Sequence, residues 1–168
     1  MSNLMEVRMS TDGNASDEQH GENGFRITAY PMHYFAAIQS QNLANMSKAL
    51  APVGISPLEW RILAILAERN GQTVNEITAI AVADRSKISR AINKMVKNGL
   101  LVRDDAAIDR RRAAVKLTDQ GQRIFGQALL IAQNVYGRNL EGITKKEQAT
   151  LMKLLRRIKD NVFRLEAY

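Results

Sequence analysis

From Thr28 onward, apolar residues recur at three- and four-residue spacing, and this helical period gives way to strict alternation only once. Phe35, Ile38, Met46 and Ala49 share one face of a helix that starts with Pro31 and ends near Leu50, where Pro52 and Gly54 break it. Ser56-Pro57-Leu58-Glu59 combines a capping serine, a first-turn proline and a glutamate three residues after the cap. It opens a second helix with Leu58, Ile62, Ile65 and Leu66 inward, closed by Asn70-Gly71. Thr73 and Glu76 form another capping box for a short helix with Ile77, Ile80 and Ala81 inward. After a turn at Val82-Ala83, Asp84 caps a fourth helix that buries Ile88, Ala91, Ile92, Met95 and Val96 and ends at Asn98-Gly99. Leu100 to Arg103 and Ala113 to Leu117 then alternate as two strands around a charged tip. Thr118 caps a long helix to about Asn139, with Ile124, Phe125, Ala128, Leu129, Ala132 and Val135 as its stripe. Thr144 and Glu147 start a last helix that carries Leu151, Leu154, Leu155, Ile158 and Val162 on one face. The predicted order is α-α-α-α-β-β-α-α, mainly α with a small β-hairpin.

Charge changes this picture more than composition does. Residues 1–25 hold Arg8 against five acids and show no apolar period, so they read as a disordered acidic tail whose boundary we set at residue 27. The whole chain carries +7, which leaves +11 on the remainder once the tail's −4 is set aside. Residues 84–112 alone hold nine basic and four acidic side chains. Such a cluster marks either a polyanion partner or a solvated charged face, and charge by itself does not choose between them. With no cysteine, disulfides and thiolate metal sites are excluded. Neither a secretory signal nor an apolar run of membrane-spanning length occurs, which leads us to expect a cytoplasmic protein without a membrane partner. The two histidines, His20 and His33, lie far apart in sequence, and no Gly-rich phosphate loop, GxSxG or HExxH is present. We therefore expect no enzyme, no cofactor, no metal site and no catalytic residue.

Two short helices joined by a tight turn are the elements of a helix-turn-helix. The second must present small polar and basic groups, because it enters a groove lined by base edges and phosphates. Opposite the buried set of helix 84–98 lie Ser86, Lys87, Ser89, Arg90, Asn93, Lys94 and Lys97. Serines allow close approach, Arg90 suits guanine, Asn93 suits adenine, and the lysines suit phosphates. An ordinary amphipathic surface helix would show the same face, so the hairpin tip tilts the balance. There Arg110, Arg111 and Arg112 stand in a row, and adjacent guanidinium groups repel unless anions are near. Asp109 is placed to pair with Arg111 or Arg110 and aim it outward.

Taken together, Ser86-Lys87-Ile88-Ser89-Arg90, Lys97-Asn98-Gly99-Leu100-Leu101, Asp109-x-Arg111 and Val115-x-Leu117-Thr118-x-x-Gly121 resemble the MarR family of regulators. The likeness extends in helix order over about residues 28–163. It implies a winged helix-turn-helix at 56–117, flanked by a helical dimerisation lobe from 28–55 and 118–168. It further implies a homodimer on a near-palindromic double-stranded operator, with helix 84–98 in the major groove and wing residue Arg111 in the minor groove. The basic run 110–112 exceeds the family pattern and leaves open which arginine enters. Many such proteins are released from DNA by a phenolic or other aromatic acid, or its CoA thioester, bound between the two lobes. His33, Tyr34, Trp60 and Arg61 are the conspicuous effector-binding candidates on the first two helices. The implied function is a ligand-responsive repressor. A ligand-independent architectural or RNA-binding winged helix is the alternative.

Overall fold

The computed structural model describes residues 26–103 and 113–164; of the expected tail 1–27, residues 1–25 lie outside them and Ile27 belongs to a 3-10 turn. The described residues fall into two units divided after Gln39. The first holds a 3-10 turn, Ile27–Ala29, and the first turns of helix α1, Pro31–Leu50.

In the second unit the capping boxes set the starts of the helices. Ser56 Oγ accepts from the Glu59 amide at 3.2 Å while Glu59 Oε2 accepts from the Ser56 amide at 2.7 Å, opening α2, Pro57–Glu68. At the end of α2 the buried amide of Gln72 donates to Ile65 O at 3.1 Å, which also accepts the Arg69 amide, and to Arg69 O at 2.9 Å. Gln72 and Thr73 form strand β1, Gln72–Thr73, and Thr73 also caps α3, Val74–Ala81, through a reciprocal box with Glu76. Val82 closes α3 in the left-handed region at φ 48°. Helix α4, Arg85–Lys97, ends in a Schellman motif: Gly99 at φ 73° donates to Val96 O and Leu100 donates to Met95 O.

Strands β2, Leu101–Arg103, and β3, Ala114–Leu117, follow, and β3 lies between β1 and β2 with both pairings antiparallel. Thr118 caps α5, Asp119–Asn139, accepting from Gly121 N at 3.0 Å and donating to Gly99 O at 2.6 Å. Helix α6, Lys145–Arg164, comes last behind the Thr144–Glu147 box. One core joins these pieces: Leu50 of α1, Ile62, Leu63 and Leu66 of α2, Ile77 of α3, Ile88, Ile92 and Met95 of α4, and Val115 of β3 are all fully buried. On its outer side Trp60 stacks on Phe125 of α5 with ring centroids 5.7 Å apart.

The fold is thus mainly α, a winged helix-turn-helix with a small antiparallel sheet. Several details differ from the sequence reading. Ile80 is 55% exposed rather than inward, because α3 has only two turns and its core contacts are completed by Val74, Ile77 and Ala81. Leu100 and Ala113 flank the strands instead of belonging to them; Leu100 is held by the Schellman turn. The sheet has a third strand, β1, too short to show an alternating pattern.

Candidate nucleic-acid interface

Helix α4 owes its position to its inner face: Ile88, Ile92 and Met95 have no exposed surface and pin the helix against α2 and α3. Its start is fixed by Asp84, whose carboxylate accepts from Ser86 N at 2.8 Å, Lys87 N at 3.1 Å and the Ser86 hydroxyl. The Ser86 hydroxyl, with the Lys87 amide next, holds the Asp84 carboxyl below the ordinary range, so this acid stays ionised at the helix's positive end. The outward face then carries Ser86, Lys87, Arg90, Asn93, Lys94 and Lys97, all exposed, and Ser89, half-buried. All seven recognition-helix candidates therefore lie on one helix whose other side is core.

They are not equally free. Arg90 Nε donates back to Ser86 O at 3.3 Å. Arg103, at the end of β2, donates from Nη2 to Asn93 Oδ1 at 2.7 Å and ties the hairpin to α4. Lys94 Nζ lies 3.0 Å from Oε1 of Glu59, the buried carboxylate of the α2 capping box. Burial alone would raise the Glu59 pKa, but the Ser56 amide, the Lys94 ammonium and the Ser56 hydroxyl outweigh it and hold the carboxyl low. Glu59 and Arg103 were missed in the sequence. Each meets its partner across a turn, and sequence spacing carries no signal for such a meeting. The wing candidates Asp109, Arg110, Arg111 and Arg112 lie outside the described residues.

Of the effector-site candidates, His33 and Tyr34 lie in the first unit, with their rings edge-on at 5.6 Å. Trp60 and Arg61 lie in the second. Trp60 gives a face to Phe125, and Arg61 Nη1 donates to Ala81 O at 2.8 Å, capping the end of α3. A cleft of about 440 Å³ opens instead beside Asn45, Lys48, Ala49, Val135, Arg138 and Asn139, between α1 and α5, and none of the four candidates lines it. Among the described residues, no cluster of acids and histidines suits a metal ion, and no single helix is long and apolar enough to cross a membrane.

A model of the MarR family matches residues 53–112, the stretch from just before α2 to just before β3. IacR of Pseudomonas putida, described as an HTH-type transcriptional repressor, is 26% identical over 141 residues, covering 84% of this chain and 81% of its own. A MarR-family transcriptional regulator from Silicibacter pomeroyi superposes with a TM-score of 0.72 at 26% identity, over 83% of this chain and 94% of that one. CouR of Rhodococcus jostii, crystallised with p-coumaroyl-CoA, shares the fold with a TM-score of 0.71 at 21% identity, over 85% of this chain and 99% of its own. With its helix-turn-helix, sheet and sequence matches in agreement, the chain carries a segment of MarR-family type and is similar over most of its length to transcriptional regulators of that family, which is one of transcription factors and not of enzymes.

Proposed function

We propose that the protein is a ligand-responsive repressor that binds a near-palindromic operator as a homodimer. Small aromatic acids or their CoA thioesters release it. The observation that carries this reading is the outer face of α4, where exposed Lys87, Arg90 and Lys97 stand over a fully buried inner face. A rigid helix with cationic and small polar groups outward has the chemistry of major-groove entry. In this reading Lys87 and Lys97 hold phosphates, Ser86, Ser89, Arg90 and Asn93 face base edges, and an arginine of 110–112, aimed by Asp109, enters the minor groove.

Dimerisation is supported by α6, which has no buried residue and leaves Leu151, Leu154, Val162 and Phe163 between 40% and 70% exposed. An apolar stripe of that length is costly in water and is covered by a second copy. Ligand control is supported by the ligand found with CouR and by the α1–α5 cleft, where Lys48 and Arg138 offer cationic partners for a carboxylate or a phosphate. A ligand there loosens the DNA only if it binds the released arrangement better, and operator DNA then weakens ligand binding by the same factor.

The test is fluorescence anisotropy on duplexes from the chain's own promoter. Affinity should fall with salt at a log–log slope of about 0.9 per phosphate neutralised, several units for a dimer. Aromatic acids and their thioesters are then titrated into the complex while Trp60 emission is followed. Salt-independent or absent duplex binding would refute the reading of α4. A monodisperse monomer at micromolar concentration would refute the dimer.

A further inference from the structure

The contact between Arg103 and Asn93 bears on which base the protein reads, and the inference from it rests on α4 being the recognition helix. An asparagine reads adenine by using both ends of its amide at once: Oδ1 accepts from the adenine N6 amino group while Nδ2 donates to N7. A guanidinium has only donors, so whatever Arg103 touches on Asn93 must be Oδ1. That contact is made at 2.7 Å by a charged donor, the stronger class of hydrogen bond. It turns the Oδ1 end of the amide toward β2 and occupies one of its two lone pairs, while both Nδ2 hydrogens stay unspent.

The rest of the face points the same way. Lys87, Arg90 and Lys97 are donors only. Asp84, the cap of α4, gathers its bonds from Ser86 and Lys87 on Oδ1, and it precedes Asn93 by nine residues, about 13 Å along the helix, so its carboxylate does not serve the base that Asn93 faces. Glu59 is 3% exposed and engaged by Ser56 and Lys94. Around Asn93 the exposed side chains therefore offer mostly donors, with the Ser89 hydroxyl and the remaining lone pair of Oδ1 as the acceptors. In the major groove guanine offers two acceptors and no donor, whereas adenine and cytosine each present an amino group that needs an acceptor. We infer that Asn93 and Arg103 act as one reading unit that presents donors to the groove because Arg103 holds the acceptor end of the amide, so that the base facing Asn93 in each operator half-site is guanine and not adenine. Arg103, on the hairpin and outside the recognition helix, is then a specificity-determining residue.

The experiment is selection of duplexes from a randomised half-site library by four proteins: wild type, Asn93→Ala, Arg103→Met and Arg103→Lys. The position facing Asn93 is the one whose preference the Asn93→Ala protein loses. Wild type should select guanine there, with about a tenfold loss for adenine, a factor within the range of one good base contact. Arg103→Met, which frees Oδ1, should move the preference at that same position toward adenine. Arg103→Lys keeps a cationic donor and should keep guanine. Adenine selected by wild type, or a guanine preference untouched by Arg103→Met, would overturn the inference while leaving the DNA-binding function intact. So would a library preference that Asn93→Ala leaves unchanged at every position. Failure to enrich any duplex would overturn the proposed function and this inference with it.

Discussion

Replacing Lys94 with methionine separates two roles for this residue, phosphate ligand and structural brace, and the structure favours the brace. The Glu59 side chain is 4% exposed and that of Lys94 61%, so the ion pair is buried at one end only. At the exposed end the attraction is screened and an ordinary surface pair is worth about 0–1 kcal/mol. The buried end dominates: without Lys94, the carboxylate keeps its Ser56 amide partner at 2.7 Å but loses its only cation among the described residues. Losing a hydrogen bond to a charged group costs about 1.5–3 kcal/mol, and water entering on the open side reduces this, so we expect about 1–2 kcal/mol for Lys94→Met. Urea denaturation at pH 7 measures it, and in a chain of this length 1 kcal/mol moves Tm by about 2–4 °C.

Glu59→Gln keeps an acceptor for the cap but removes the charge, so the double variant should destabilise less than the two single effects combined. Acid pH should mimic that loss. The folded Glu59 carboxyl lies below its ordinary 4.5, so folding favours the ionised form. Its contribution is complete above the unfolded value and disappears as pH falls through the lowered folded one. The cost of Lys94→Met should therefore shrink below about pH 4. On DNA, Lys94→Met should leave the salt slope unchanged, whereas Lys87→Met should reduce it by about 1 per subunit. An unchanged urea midpoint together with a reduced salt slope would show that Lys94 holds a phosphate and that the Glu59 contact is incidental.

In the wing, Arg111→Ala should weaken operator binding by about 1–3 kcal/mol per contact at fixed salt, and wild-type affinity would remove Arg111 from the interface. Asp109→Ala should also weaken binding by releasing the arginine's orientation, and tighter binding would show that net charge outweighs geometry. Val82 is 69% exposed and held at φ 48°, a conformation that β-branched residues resist. Val82→Asn should raise stability by about 1 kcal/mol, and a lower urea midpoint would show that the side chain matters more than the strain. Gly121→Ala would drive a methyl group into the Leu100 carbonyl, and we expect a loss of more than about 2 kcal/mol and a clearly lower Tm. Removal of residues 144–168 should yield a monomeric or aggregating protein that binds half-sites poorly, and light scattering checks it.

Local grammar was legible in the sequence. The Ser56, Thr73 and Thr144 boxes, the Asp84 cap and the Asn98-Gly99 stop occur where residue type and spacing place them, because each is satisfied within four residues of its own position. The buried face of α4 and most of that of α2 were legible for the same reason, although the fully buried Leu63 stood outside the inward set read for α2. What the spacing did not carry was the set of partners chosen by the fold. Arg61 reaches Ala81, Lys94 reaches Glu59 and Asn93 reaches Arg103, and each pairing exists only after the turns have brought separate elements together. A list of exposed polar residues on α4 treats seven side chains as equivalent, and packing divides them into free and engaged. Ile80 failed for a different reason: in so short a helix, three inward residues already exhaust the buried face.

The central place of β3 has a practical consequence for mapping DNA contacts in solution. Val115 is flanked by Gln72 on one side and by Arg103 on the other, and its side chain is fully buried. Amide hydrogens in such a strand exchange slowly even in the free protein, since they are released only by openings close to global unfolding. A hydrogen-exchange footprint of the operator complex should therefore be nearly blank along β3. Changes confined to α4 and to the segment between β2 and β3 would report bound DNA directly. A change within β3 itself would report a shift in the stability of the whole domain.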